Sequence, residues 1–175
     1  VEKMTDSPGS EITASLATAA DAELEADFGL SFVGINALLM RRYMYEYGWK
    51  HEDFSNFSIN AHANAVHNPN ARFQFPITKE SFVKSPVISD PINLMDASPV
   101  SDGAAAIVLS AHPIQNGQKS VSVIASSSMT DTLSLQNRKE STRLTAAKTS
   151  AKSAYSQAGL TPADIDLFEY HDAFS

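Results

Sequence analysis

The sequence contains no cysteine. That excludes a disulfide framework, a thiolate metal site and, within these residues, a thiol nucleophile. Glycine is scarce. The seven present never cluster, so there is no loop of the kind that cradles a phosphate, and no Gly-x-Ser-x-Gly elbow singles out one of the many serines. Long apolar runs are missing too. The longest, AAAIVL at 104–109, falls far short of the roughly 20 residues of a spanning helix, so a soluble protein with no membrane partner is expected. Basic residues number 13 against 20 acidic ones, a formal charge of -7. A surface of that sign repels phosphate backbones, which excludes nucleic acid as a partner. The opening VEKMTDSPGS lacks both an initiator methionine and the apolar stretch of a signal peptide, and a start at Val1 predicts a processed or cut chain.

What is present is ordinary globular usage. Hydrophobic residues make up 43% and charged residues 19% of 175 positions, enough for one compact unit with a buried core. Pro8-Gly9, flanked by Ser7 and Ser10, predicts a loop over 1–10, and the Ala-, Leu- and Glu-rich stretch after it predicts a helix over 12–27. Ile35, Leu38, Leu39, Tyr43, Met44 and Tyr47 recur at three-and-four spacing, which predicts the apolar face of a helix over 33–47, stopped by Gly48. A further helix is expected over 51–67, ended by Asn68-Pro69-Asn70. Residues 71–99, broken by four prolines, read as an irregular covering layer and not as a sheet core.

Beyond residue 95 the texture changes. DASPVSDGAAAIVLSA, 96–111, is a turn at Asp102-Gly103 followed by a small and branched apolar run, which suits a strand buried on both faces. KSVSVIASSS, 119–128, alternates and reads as a second strand. A helix is expected over 141–160, with Ser141 or Thr142 near its cap and Gly159 at its end. Thr161, Pro162 and Asp164 then cap a short helical turn, and IDLFEY, 165–170, is a third strand. Strand, helix, strand predicts an α/β fold with a right-handed crossover and parallel strands, whose carboxyl ends are where such folds gather their sites.

His171 stands at such an end, and imidazole is the side chain best suited to donate near neutral pH. The competing reading is a hydrogen-bonded, inert histidine. Asp172 faces the other way in an extended chain, so sharing a proton with His171 is not expected. His62 and His67 are five apart, where a helical metal pair needs four, and His51 and His112 have no partner in the sequence, so no metal is expected. Arg41-Arg42 would either steer an anionic ligand or lie solvated on a helix.

Five segments, VEKMTD, GLSFVGINALLMRRYMYEYG, NPNARFQFPIT, DASPVSDGAAAIVLSA and AGLTPADIDLFEYHDAFS, together resemble the thiolase superfamily. The likeness is to the archaeal and bacterial acetyl-CoA acetyltransferases and the sterol carrier protein X type thiolases. It runs through nearly the whole chain in order, and SPVSDGAAA paired with HDAF is its most specific part. The resemblance implies Claisen condensation and thiolysis of a 3-oxoacyl-CoA, with coenzyme A as substrate and no covalently bound cofactor. It also implies part of a thiolase-like α/β fold: residues 1–95 as the loop domain covering coenzyme A, 96–118 as the last strand of the amino-terminal half with its linker, and 119–175 as the start of the carboxy-terminal half.

HDAF matches the family's NEAF segment, whose Asn acts through a water on the thioester oxygen. By that match His171 is the oxyanion-stabilising group, a role worth roughly 3 to 4 kcal/mol by analogy with other oxyanion holes. Phe174 would line the acyl pocket and Ser98 would contact the pantetheine arm. The family's acylated Cys precedes residue 1, and its Gly-His-Pro histidine and second Cys follow residue 175. The chain is therefore expected to be an internal fragment, inactive alone, whose missing strands come from another chain or from other parts of the same protein. Around His62 the chain reads NAHAN where sterol carrier type relatives read KNHKN, so two lysines that could meet phosphates are absent. A homo-oligomer, an acyl-CoA-pathway partner protein and a cytoplasmic location, peroxisomal in a eukaryote, also follow from the resemblance. Two alternatives stand beside it: a non-catalytic thiolase-like scaffold or CoA-binding subunit, and a thiolase-like aldolase acting on steroid side-chain CoA esters.

Overall fold

One helix, α2 (Phe32–Tyr47), organises the packing in the computed structural model, which describes residues 1–112 and 121–175. Its ends are those the local chemistry requires. Ser31 Oγ accepts from the Gly34 N–H, and Gly48 closes the helix at φ 70°, a left-handed conformation that costs a residue without Cβ little. The buried face overlaps the expected one only at Tyr43 and Met44. Ala37 and Met40 are buried, with Val33, Tyr43 and Met44 packed beside them, whereas Leu38 and Tyr47 are exposed. The helix is apolar around much of its girth, so spacing alone did not decide which stripe meets the core.

Before it, α1 (Gly9–Ala17) is shorter than the expected 12–27 helix and starts inside the expected loop. Thr18 Oγ1 bonds back to the Ser15 carbonyl, and Asp21 Oδ1 takes the amides of Glu23 and Leu24, so polar side chains divert the backbone from continuing the helix. After α2, a 3-10 turn over His51–Phe54 leads into α3 (Ser55–Ala65). Phe54 from that turn and Ile92 complete the core around α2.

Strands fall in unexpected places. Within the proline-punctuated 71–99 stretch lie a short helix, α4 (Lys79–Val83), and an antiparallel hairpin of β1 (Val87–Ser89) and β2 (Ile92–Asn93), the only sheet among the described residues. The expected strands at 96–111 and 165–170, and the described part of 119–128, form none of the parallel pairing predicted for them. Residues 119 and 120 of that second strand, and the linker through 118, lie outside the described residues. The reason is physical: β-branched runs need neighbours to become a ladder, and these have none, with Val108 96%, Val121 95% and Leu167 82% exposed. What pairing exists is antiparallel and isolated, Glu2 with Gly103 and Ala97 with Phe174.

The last helix, α5 (Thr145–Ala158), begins later than expected. Thr142 does not cap it but donates to Glu46 of α2, a tertiary bond that wins over the local one. Gly159 ends α5 at φ 67° as expected. Ser150 Oγ and Gln157 Oε1 hold α5 to the backbone of Ser127 and Ser126. Thr161, Pro162 and Asp164 form the expected capping box, with the Thr161 N–H 2.8 Å from Asp164 Oδ2.

Candidate functional site

The segment carrying HDAF is fixed by a small ladder. Ser98 N–H donates to the Ala173 carbonyl at 2.9 Å and Ser175 N–H to the Asp96 carbonyl at 3.1 Å, which makes Ala97 and Phe174 a close, non-hydrogen-bonded antiparallel pair. Side chains then alternate across the segment, as a period of two demands. His171 and Ala173 line one cleft, of about 470 Å³. Tyr170 and Asp172 line a second, of about 310 Å³. Phe174, its ring 5.6 Å from that of Phe32, packs on the core and borders both.

The expected site residues are therefore divided. His171 and Phe174 share the first cleft, whereas Ser98 lies in the second with Asp172, so that Phe174 is the wall between them. The first cleft is lined by aromatic rings, among them Tyr43, Trp49, Phe54 and Phe57, and by no charged side chain apart from what His171 carries when protonated. Two of its other polar groups are engaged. Asn36 donates to the Phe32 carbonyl at 2.9 Å, and Thr142 donates to Glu46 at 2.8 Å. The Thr142 bond, then that from Arg42, holds the Glu46 carboxyl below its usual range. His171 is exposed and makes no hydrogen bond among the described residues. The hydrogen bond that the structural reading of His171 called for is absent among the described residues.

The second cleft is different in kind. Ser58 and Ser98 give it hydroxyls, His62 an imidazole and Asp172 an exposed carboxylate. His62 bonds through Nδ1 to the Phe75 carbonyl and lies beside the Phe73 and Phe75 rings. Arg41 and Arg42 serve neither cleft as anion hooks. Arg41 pairs with Asp90, and Arg42 lies 2.6 Å from Glu46 one turn along.

Sequence reasoning missed a partly buried acid–histidine pair. His51 Nε2 lies 2.7 Å from Asp96 Oδ2, and the Asp96 side chain is fully shielded from solvent. Forty-five residues separate the two in the chain, so no spacing rule joins them. The only legible sign is Asn93-x-x-Asp96, where Asn93 Oδ1 takes the amides of Met95 and Asp96 in a side-chain-closed turn. Among the described residues no cluster of three or more His, Asp or Glu could hold a metal ion, and no helix is long and apolar enough to cross a membrane.

Residues 127–175 match the family described as thiolase C-terminal domain-like. An acetyl-CoA acetyltransferase of Methanothermobacter thermautotrophicus is 42% identical in an alignment taking in 100% of this chain and 46% of that protein. The chain belongs to the thiolase superfamily. Human sterol carrier protein 2 is 32% identical over 77% of the thiolase chain and 26% of its own length, so both groups of relatives expected from the motifs are found. The solved structure titled Ltp2-ChsH2(DUF35) aldolase superposes with a TM-score of 0.71, at 24% identity, over 98% of this chain and 45% of that one, which establishes the shared fold. The thiolase chain spans about half the length of the curated relatives it matches along its whole length.

Proposed function

We propose that this chain is the part of a thiolase-type acyl-CoA acyltransferase that carries the oxyanion-stabilising side of the active site. The observation supporting it is the division made by the 170–175 segment. An unengaged imidazole, His171, stands exposed at the border of an apolar cleft, free to donate to an oxygen that gains charge there. In the reaction, a thiolate attacks the 3-oxo carbonyl of a 3-oxoacyl-CoA. The carbon–carbon bond breaks and the enolate of the departing acetyl-CoA carries the charge on its thioester oxygen, which His171 stabilises, directly or through a water. Phe174 bounds the acyl group. Ser98 meets the pantetheine arm, whose amides and hydroxyl carry no charge and so suit a cleft bordered by the exposed Asp172 carboxylate better than a diphosphate would.

The chain contains no cysteine, so the attacking thiolate and the second, proton-shuttling thiol are supplied by residues outside it. Residues 1–95 form the layer over coenzyme A in this reading. The test is thiolysis of acetoacetyl-CoA by coenzyme A. The full-length protein should turn over, this polypeptide alone should not, and His171→Ala in the full-length protein should lower kcat by about 10²- to 10³-fold with little change in KM. Measurable thiolysis by the 175-residue chain alone would falsify the division of labour, and an unchanged kcat in His171→Ala would remove His171 from it.

A further inference from the structure

The HDAF segment faces a choice between two states. Because side chains alternate, a slip of one residue against its ladder partner would move His171 out of the apolar cleft and put the Asp172 carboxylate in its place. A carboxylate there would repel the negative charge that an imidazole stabilises. Something must therefore hold the register, and the ladder itself is only two hydrogen bonds long: Ser98 N–H to the Ala173 carbonyl and Ser175 N–H to the Asp96 carbonyl.

We propose that His51 and Asp96 are positioning residues that lock this register and so select His171 for the cleft. This rests on the reading of His171 as the oxyanion-stabilising group. The Asp96 side chain is entirely buried, and a buried carboxylate stays put only where donors hold it. Both donors reach the same oxygen, Oδ2: His51 Nε2–H at 2.7 Å and the Asn93 backbone N–H at 2.7 Å. The His51 ring cannot swing freely. It stacks on Phe82, centroids 5.0 Å apart, and Phe82 is itself fully buried with its carbonyl taking the Asn93 side-chain amide at 2.7 Å.

Asp96 thus has its side chain clamped on one side while its carbonyl receives Ser175 N–H on the other. A second tie reinforces the same register. Ser58 Oγ donates to the Met95 carbonyl at 2.6 Å, which leaves it to accept from Ser175 Oγ at 2.8 Å. Clamp, peptide and ladder form one continuous path from His51 to the strand that bears His171, and neither His51 nor Asp96 lines the first cleft.

Two variants of the full-length protein separate positioning from bulk stability. His51→Gln keeps an N–H near the position of Nε2, whereas His51→Leu combined with Asp96→Asn removes the clamp without leaving an unpaired buried charge. In the double variant kcat for acetoacetyl-CoA thiolysis should fall by about 10- to 100-fold with KM little changed, the scale expected when a reacting group is displaced by about 1 Å. Backbone amide exchange at Ser98 and Ser175 should accelerate in parallel. His51→Gln should restore most of both. The idea is overturned if the double variant keeps kcat, if kcat falls while those two amides stay protected, or if His51→Gln is as impaired as the double variant. A wild-type protein with no thiolase activity would instead refute the function proposed above, and amide exchange in the same two variants would still decide whether the clamp sets the register.

Discussion

Asn93 shows what single residues contribute to this site and how little of it spacing reveals. It is 1% exposed, its amide donates to the Phe82 carbonyl, its Oδ1 takes two backbone amides, and its own N–H goes to Asp96. The turn it closes was partly legible in its Asn-x-x-Asp pattern, but its partner Phe82 and the clamp residue His51 come from elements that only folding brings near. His171 and Phe174 were singled out by a motif placed at the end of an expected strand, and the segment that carries them is held by the bridge between Ala97 and Phe174 and not by that strand. Asp102 gives a test at this scale. Its carboxylate accepts from Thr5 Oγ1 and from the amides of Met4 and Thr5, which pulls its pKa below the usual aspartate range, the hydroxyl bond contributing most. A depressed folded-state pKa means that the stabilisation is complete above the ordinary value of about 3.9 and is lost as pH falls through the lower folded value. The tie between residues 4–5 and 102 should therefore hold at pH 5 and loosen as pH falls below the ordinary aspartate value. The amide shift of Thr5 followed by NMR should show that acid step, and Asp102→Asn should abolish it.

Among the elements, α2 was read almost to the residue because a three-and-four apolar pattern and a terminal glycine survive any packing arrangement. Its buried stripe was read only in part, at Tyr43 and Met44, because Val33, Ala37 and Met40 are spaced as well as the rest of the stripe that was expected, and only Phe54 and Ile92 decide between them. The strands failed for the opposite reason. Valine-rich alternation at 119–128 reports a preference for a pleated surface, and whether one forms depends on neighbours that the sequence segment does not contain. Since the helix signals act locally, they can be tested locally. Ser31→Ala removes the hydroxyl that accepts from Gly34 N–H, and Gly48→Ala forces a Cβ into a φ of 70°. Each should cost about 1 kcal/mol, read as a lowered urea midpoint with unchanged slope, and Leu38→Ala on the exposed face should cost less than either.

On the scale of the whole molecule, the chain combines a small core with segments whose apolar side chains are bare. Ala37, Met40, Phe54 and Ile92 pack around α2, and the hairpin and the 173–175 ladder attach to that nucleus. Ile107, Val108, Val121, Val123, Leu167 and Phe168 are each more than 70% exposed, on segments without a paired strand. Stable monomers seldom show an apolar patch beyond a few hundred Å², and unpaired β-branched segments recruit other strands. A solution of this polypeptide alone should therefore associate. Sedimentation velocity should show weight-average mass rising with concentration, and a dye sensitive to apolar surface should bind strongly. Val108→Lys with Val123→Lys should shift the distribution toward monomer without disturbing α2, because both side chains are exposed and neither belongs to its core cluster. A wild-type chain that stays monomeric across the concentration range and melts in one cooperative step would show instead that these segments are satisfied within the chain, and the claim that they need strands from elsewhere would fall.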